Sequence, residues 1–300
     1  MKKYSVVGIL VLAVMASAGC NRQKIDPVAY RADMEQWHTE RLLRLKQKNS
    51  WLTLAGLYWL PEGTSTFGSD SSNTIVFPAG APPFAGKLER RGDTVFLIST
   101  EVPMMVDSVI TAGTNLRSDA AGKPSVVTLG SFAWHVIKRG NLMGIRLRDF
   151  ESPMVHKLDS IPFYEINLRW RITADYKPFD TPEKQKVQTV VGVEAENIIP
   201  GVLSFSVDGK KMKLYPVAGE GEWSIVFGDL TNGDVTYPGG RFLDISVPDG
   251  NNKVVIDFNK AYNPPCAFTP YATCQLPHRS NMLPVKIEAG EKSVHLVQVH

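Results

Sequence analysis

The stretch LSFSVDGKKMKL, residues 203–214, decides the fold class of this chain. Apolar residues alternate with polar ones on both sides of the dipeptide Asp208-Gly209. Such alternation places the apolar side chains on one face of an extended strand. Asp-Gly is a favoured pair for the tight turn of a hairpin. The stretch therefore predicts an antiparallel β-hairpin with one buried face.

The same alternation recurs elsewhere in the second half of the chain. It is carried by Trp223, Ile225 and Phe227, by Leu243, Ile245 and Val247, and by Val254, Ile256 and Phe258. Asn232-Gly233 and Asp249-Gly250 are turn signals between these runs. In the first half, Arg139-Gly140-Asn141 separates two further β runs. Repeated short strands of this kind predict antiparallel sandwiches or barrels.

A helix precedes the strands. Asp26-Pro27 is a helix start, with Asp at the N-cap and Pro at the first helical position. Tyr30, Met34, Trp37 and Leu45 then recur near helical spacing and predict a buried stripe. The predicted fold class is therefore all-β with a short N-terminal helix.

The predicted organisation has five segments. Residues 1–19 are a signal peptide, 20–25 a tether, 26–50 the N-terminal helix, 51–155 a first β part and 156–300 a second β part. Pro153 and Pro162 bracket a polar passage at the boundary between the two β parts. Within the second part, residues 259–277 form a proline-rich loop.

Composition excludes several classes of protein. The chain has 300 residues, of which 43% are hydrophobic and 21% are charged, and its formal net charge is +3. These values are ordinary for a folded globular protein and do not indicate disorder. Nucleic-acid binding depends on a concentrated basic surface, and the sequence has no basic run and no nucleic-acid motif. We therefore expect no nucleic-acid partner.

The N-terminus indicates an envelope protein. Met1-Lys2-Lys3 is cationic, residues 6–15 are apolar but too few to span a bilayer, and small residues lead to Cys20. This pattern resembles the bacterial lipobox, although Ser17 stands where leucine is usual. The resemblance implies a lipoprotein anchored in the membrane by acyl chains such as palmitate on Cys20. Asn21, rather than aspartate, favours the outer membrane. The alternative is an ordinary secretory leader.

Most of the chain resembles an uncharacterised family, domain of unknown function 1684. The resemblance is carried by WLTLAGLYWL at 51–60, GIRLRD at 144–149, residues 227–229, TYPGGRFL at 236–243 and DFNKAYNPPCAFTPYATC at 257–274. It implies no activity, because none is established for the family.

A second resemblance covers residues 56–147. Glu62-Gly63, FGSD at 67–70 and IVFP at 75–78 look similar to the opening strands of a forkhead-associated β-sandwich. Members of that family recognise phosphothreonine through an arginine that follows the glycine and through a later serine–histidine segment. Here Ser69 and Ala85-Gly86 stand at those places. The resemblance implies a forkhead-associated-like sandwich without phosphopeptide binding, followed by the antiparallel sandwich or barrel of the second part.

Two aspartates form the first candidate site. If Val247 faces Val254 across the turn at Asp249-Gly250, then Asp244 faces Asp257, with Asn259 on the same side. Facing carboxylates destabilise a sheet unless Arg241, a hard cation such as calcium or magnesium, or a shared proton compensates. Paired carboxylates also suit general acid–base catalysis. The alternatives are a solvated strand face or a shifted register.

The proline-rich loop is the second candidate. Its prolines reduce the entropy lost when the loop is ordered, and Tyr262 and Asn263 supply polar and aromatic groups. A rigid loop of this composition suits a ligand site. The alternative is a structural plug at one end of the second β part.

The same loop holds Cys266 and Cys274. In an oxidising compartment they are candidates for a disulfide. The alternatives are free buried thiols or a nucleophilic Cys266 with His278 as its base. Two cysteines and one histidine do not complete a zinc site.

Arg146 and Arg148 form the last candidate. They project from one strand face and could clamp a carboxylate or phosphate. The alternative is an exposed charged strand.

Three functions follow from these candidates. The favoured one is a ligand-binding module of the bacterial cell envelope, for a glycan, peptide or small anion. The second is a hydrolase that uses Asp244 and Asp257 with or without a divalent metal. The third is a structural subunit of an envelope assembly. The sequence identifies no cofactor.

Overall fold

The computed structural model describes residues 25–99, 102–294 and 296. The predicted signal peptide and the lipid-bearing Cys20 lie outside these residues. Within them, no helix has both the length and the apolar character that crossing a bilayer requires.

Helix α1 spans Pro27–Leu45. It begins as predicted, because the Asp26 side chain accepts a hydrogen bond from the Val28 backbone N–H (2.9 Å) and Pro27 occupies the first helical turn. Its buried residues are Tyr30, Met34 and Leu45. The helix packs on the second half of the protein, where the Tyr30 hydroxyl donates to Asp257 (2.8 Å).

Eleven strands make up the first half among the described residues. They are β1 (Leu54–Trp59), β2 (Gly63–Gly68), β3 (Ile75–Val76), β4 (Gly86–Arg91), β5 (Thr94–Ser99), β6 (Met104–Val106), β7 (Val109–Thr111), β8 (Gly113–Leu116), β9 (Val127–Leu129), β10 (Phe132–Arg139) and β11 (Leu142–Asp149). One sheet has the order β1-β11-β10-β9-β6-β7, and the other has the order β3-β2-β4-β5-β8. Phe67 and Leu88 from the second sheet share a core with Trp134 and Ile145 from the first. The two sheets therefore form a sandwich.

The outer face of this sandwich is cationic. In the antiparallel pair β10–β11, Trp134 and Ile145 point into the core, so their neighbours project to the other face. His135 lies directly opposite Arg146 in this pair. The second half of the protein covers this face.

The second half contains the short helix α2 (Met154–Lys157) and six strands among the described residues. The strands are β12 (Arg171–Gln188), β13 (Glu194–Val207), β14 (Lys210–Leu214), β15 (Glu222–Phe227), β16 (Arg241–Ser246) and β17 (Lys253–Asp257). A four-stranded sheet has the order β14-β13-β12-β17, and β15–β16 form a two-stranded ribbon. Phe205 and Leu243, one from each sheet, share a core with Phe258. The fold class is confirmed: the protein is mostly β-sheet with one short N-terminal helix.

The hairpin of residues 203–214 forms as predicted. Leu203 pairs with Leu214, and Phe205 pairs with Met212. The turn residue Asp208 adopts a positive φ of 48°, a conformation that aspartate tolerates better than most residues.

The predicted hairpin around Asp249-Gly250 is wrong. The chain does reverse there, since the Asp249 N–H donates to the Lys253 carbonyl (3.0 Å). However, β16 pairs with β15 and β17 pairs with β12. The turn therefore connects two sheets. Apolar alternation identifies the buried face of each strand but does not specify its hydrogen-bonding neighbour.

The proline-rich loop follows β17 and covers the junction of the two halves. Its Phe268 packs in a third cluster with Leu45 of α1, Leu52 of the first half and Leu158 of the second. This cluster brings all parts of the protein together beside the concave surfaces described next.

Candidate functional site

A cavity of about 300 Å³ lies between the cationic face of the first sandwich and the proline-rich loop. We call it the arginine cavity. Its walls include Trp51, Arg139, Arg146, Phe242, Pro265 and Thr273. It combines aromatic and aliphatic surface with two guanidinium groups, and both halves of the protein contribute to it.

Arg146 is the unusual residue of this cavity. It is only 8% exposed. Its Nη2 donates to the Thr273 hydroxyl (3.0 Å), but its buried Nε has no hydrogen-bond partner. No carboxylate in the described part of the chain forms an ion pair with it. Burial, followed by the nearby Arg139, lowers the pKa of Arg146 to about 10, so the guanidinium stays charged at neutral pH.

The surroundings of Arg146 add positive charge. Arg139 pairs with Asp119 (2.8 Å) and also donates to Thr273 (3.2 Å). His135 faces Arg146 across the strand pair. Burial, with a further contribution from Arg146, lowers the pKa of His135 to about 4. His135 is therefore neutral at pH 7, and the excess charge resides on the arginines.

The predicted clamp of Arg146 and Arg148 does not form. Arg148 donates to the Ser50 carbonyl and to the Thr53 hydroxyl. These contacts hold the 3₁₀ turn Trp51–Thr53, which carries Trp51 to the cavity wall. Arg139 instead accompanies Arg146 in the cavity.

A disulfide joins Cys266 to Cys274, whose Cα atoms are 6.2 Å apart. Cys274 lies in the cavity wall, so the bridge constrains the part of the proline-rich loop that lines the cavity. His278 is hydrogen-bonded to Ser280 (2.8 Å). In this structure Cys266 is not the free nucleophile that a thiol mechanism with His278 requires.

A groove of about 510 Å³ adjoins the cavity, and Trp51 lines both. We call it the carboxylate groove. Other residues in its lining are Trp37, Arg41, Glu222, Asp244, Lys260 and Tyr262. The Tyr262 hydroxyl donates to both oxygens of Asp244 (3.0 and 3.1 Å). Partial burial in the groove raises the pKa of Asp244.

The remaining predicted site residues have structural roles. Asp257 accepts hydrogen bonds from Tyr30 and from Asn259 (3.0 Å), whereas Asp244 accepts from Tyr262. The buried Arg241 pairs with Asp229, so it does not compensate Asp244. The Asn263 side chain donates to the Lys292 carbonyl (2.8 Å). The hydrolase hypothesis required Asp244 and Asp257 to act as a pair, and the structure does not pair them.

No group of three or more metal-binding side chains occurs among residues 25–99, 102–294 and 296. The hard-cation explanation of the two aspartates is therefore not supported there.

Among the lining residues that the sequence analysis does not identify as site residues are Trp37, Trp51, Arg139 and Glu222. Trp37 belongs to the predicted helix stripe, Trp51 to the family-like stretch 51–60 and Arg139 to a turn signal, whereas Glu222 has no local signal. All four come together only through contacts between distant elements.

Two solved structures are similar in part. One is the solution NMR structure of an uncharacterized protein of Haloarcula marismortui, with 26% identity over 46% of this chain and 78% of that chain and a TM-score of 0.39. The other is the crystal structure of the FhaA FHA domain in complex with an intracellular domain of another protein. It shows 15% identity over 31% of this chain and 97% of that chain, with a TM-score of 0.22.

No curated protein matches the chain. Residues 156–292 match the model of a family described as a protein of unknown function. The matched segment contains the whole proline-rich loop and every strand of the second half. This segment, a little under half of the chain, is similar to the family DUF1684.

Proposed function

We propose that this protein binds a small organic anion in the arginine cavity. The carboxylate or phosphate of the ligand pairs with Arg146 beside Arg139, and its remaining atoms contact Trp51 and Phe242. The observation that carries this proposal is the nine-tenths buried Arg146, which forms no ion pair with a carboxylate of the described residues and has an unpartnered Nε.

The energetic argument rests on the cost of burying charge. An uncompensated buried cation costs several kcal/mol unless a counter-charge approaches it. Asp119 pairs with Arg139 and acts on Arg146 without forming an ion pair with it, and the loop offers Arg146 only the neutral Thr273 hydroxyl. An anion in the cavity supplies the missing charge, and a charge-assisted hydrogen bond contributes about 1.5–3 kcal/mol.

The shape of the cavity restricts the ligand. A volume of about 300 Å³ is at the lower end of small-molecule pockets. The apolar walls favour an anion with an organic part over a fully hydrated inorganic ion. A folded macromolecule does not fit such a space, so among the three classes of ligand we favour the small anion over a glycan polymer or a peptide.

Isothermal titration calorimetry with benzoate and inorganic phosphate tests the proposal. We expect binding that the variant Arg146→Met weakens by about tenfold to a hundredfold. The control is Arg117→Met, which removes an exposed arginine paired with Asp107 in the same half. The proposal fails if neither anion binds, or if both variants bind like the parent protein.

We also propose that the protein acts in the bacterial envelope, held to the outer membrane by lipid on Cys20. The support is the leader-like segment 1–19 and the position of Cys20. The Cys266–Cys274 bridge also suits an oxidising compartment. Metabolic labelling with palmitate should mark the parent protein but not Cys20→Ser. A mature protein without acyl chains on Cys20 would overturn this assignment.

A further inference from the structure

The ribbon β15–β16 contributes residues to both the arginine cavity and the carboxylate groove. In the ribbon β15–β16, Val226 pairs with Phe242 and Ser224 pairs with Asp244. Alternate residues of a strand lie on one face, so these two pairs and Glu222 form a continuous surface. Val226, Phe242 and Ser224 line the cavity, whereas Asp244 and Glu222 line the groove. A single ligand can therefore extend along the ribbon from one to the other.

The groove is chemically different from the cavity. Trp37 and Trp51 provide flat apolar surfaces. The Asp244 carboxylate, held in place by the Tyr262 hydroxyl, and Glu222 provide acceptors, and Lys260 provides a donor. This surface suits an uncharged group that has apolar faces and several hydroxyls around its edge.

The cations of the groove do not make it a second anion site. Arg41 is bound to the buried Glu291 (2.8 Å), and Arg44 lies near Glu40 (3.8 Å). Lys260 lines the same groove as the two carboxylates Asp244 and Glu222, so the groove has no excess of positive charge. The groove therefore contrasts with the arginine cavity, where Arg146 has no such partner.

We infer that the ligand is an acidic sugar, a pyranose that carries a carboxylate or a phosphate. Its acid group occupies the arginine cavity, one face of its ring lies on Trp51, and its hydroxyls donate to Asp244. This inference rests on the proposed anion site and specifies the ligand class for it. Tyr262 is a positioning residue, since it orients the carboxylate that receives the hydroxyls.

Calorimetric titrations with four probes test the inference: D-glucuronate, D-glucose 6-phosphate, inorganic phosphate and D-glucose. At least one of the two acidic sugars should bind about tenfold more tightly than inorganic phosphate, because ring contacts and hydroxyl hydrogen bonds are added to the charge contact. Glucose, which lacks the acid group, should bind more weakly than the better acidic sugar. Comparing the two acidic sugars decides whether the cavity accepts the carboxylate or the phosphate.

Variants separate the two ends of the site. Asp244→Asn and Trp51→Leu should weaken binding of the better acidic sugar by about tenfold. Because Asp244 lies outside the wall of the arginine cavity, Asp244→Asn should leave binding of inorganic phosphate unchanged. Arg146→Met should weaken both. The matched control is Asp208→Asn, the same chemical change at an exposed turn of the same half.

The outcomes are distinguishable. If inorganic phosphate binds through Arg146 but neither acidic sugar binds more tightly, the sugar inference is overturned and the anion site stands. The inference is likewise overturned if acidic sugars bind tightly but Asp244→Asn and Trp51→Leu have no effect. If none of the four probes binds but benzoate does, the sugar inference is overturned and the anion site stands; if benzoate also fails to bind, both fail.

Discussion

The guanidinium of Arg41 in helix α1 donates its Nε hydrogen to the buried carboxylate of Glu291, at 2.8 Å and 250 positions further along the chain. Glu291 is 0% exposed, and its other oxygen accepts the Asn263 backbone N–H (2.7 Å). Arg41 also lies 4.7 Å from the centre of the Tyr262 ring. Because Tyr262 orients Asp244, this ion pair links the helix to one wall of the carboxylate groove.

Glu291→Gln should destabilise the protein strongly. Removing one charge of a buried pair leaves the other uncompensated and costs about 3–5 kcal/mol. Urea denaturation followed by circular dichroism measures this loss. The control is Glu165→Gln, which removes the exposed partner of Arg31 and should change the free energy of unfolding little. Equal stability of the two variants would show that the Arg41–Glu291 pair does not hold the helix.

Arg146→Met should have the opposite effect on the ligand-free protein. Methionine keeps the bulk of the side chain and removes a buried charge that lacks a counter-ion. We expect stabilisation of about 1 kcal/mol or more by analogy with buried charges replaced by apolar residues, which raises Tm by about 2–4 °C.

Differential scanning calorimetry measures this change. A lower Tm for Arg146→Met in anion-free buffer would mean that the Thr273 contact outweighs the cost of the buried charge. A bound anion should remove the difference in Tm between the variant and the parent, because the anion stabilises only the protein that retains Arg146.

The stability of the protein should fall as the pH drops from about 6.5 to about 4. His135 has its usual pKa near 6.5 in the unfolded chain, whereas in the folded protein burial and Arg146 lower its pKa to about 4. Arg148 and Arg139 act in the same direction, and Asp119 opposes them. Within this window the unfolded chain binds more protons, so acid favours unfolding.

His135→Gln should flatten this pH dependence. Thermal unfolding at closely spaced pH values compares it with the parent and with His156→Gln, which changes an exposed histidine. If the His135→Gln profile overlaps that of the parent, the loss of stability comes from other groups.

Reduction of the disulfide should weaken both the fold and the site. The bridge closes a loop with a sequence separation of 8, and closing a loop of this length stabilises the folded state by about 2.5 kcal/mol in the chain-entropy model. Since Cys274 lines the arginine cavity, anion affinity should also decrease in reductant.

Peptide mass analysis after alkylation, with and without dithiothreitol, reports on the bridge. Both cysteines should resist alkylation until the reductant is added. A double variant, Cys266→Ala with Cys274→Ala, should lose the same stability and no longer respond to reductant. Alkylation of Cys266 without reductant would contradict the bridged structure.

Local features of the fold were predictable from the sequence. The Asp26-Pro27 start of α1 and the hairpin of residues 203–214 depend on side chains that are close along the chain. Capping, turn preference and alternation all act over a few residues, so each can be recognised without knowledge of the rest of the fold. The predicted pairing of Asp244 with Asp257 extended this local reasoning to a choice of strand neighbour, and there it was wrong.

The sequence by itself determined the class of the elements and the buried face of the alternating strands of the second half, such as 203–214, because periodicity and backbone preference are local properties. Only the tertiary structure decided that Arg146 meets Thr273, 127 positions away, and that Asp244 meets Tyr262 instead of Asp257. Which strands pair, and which sheet face the loop covers, depends on packing the whole set of apolar faces at once. The candidate site lies where these surfaces meet, so its composition is a consequence of packing between distant segments.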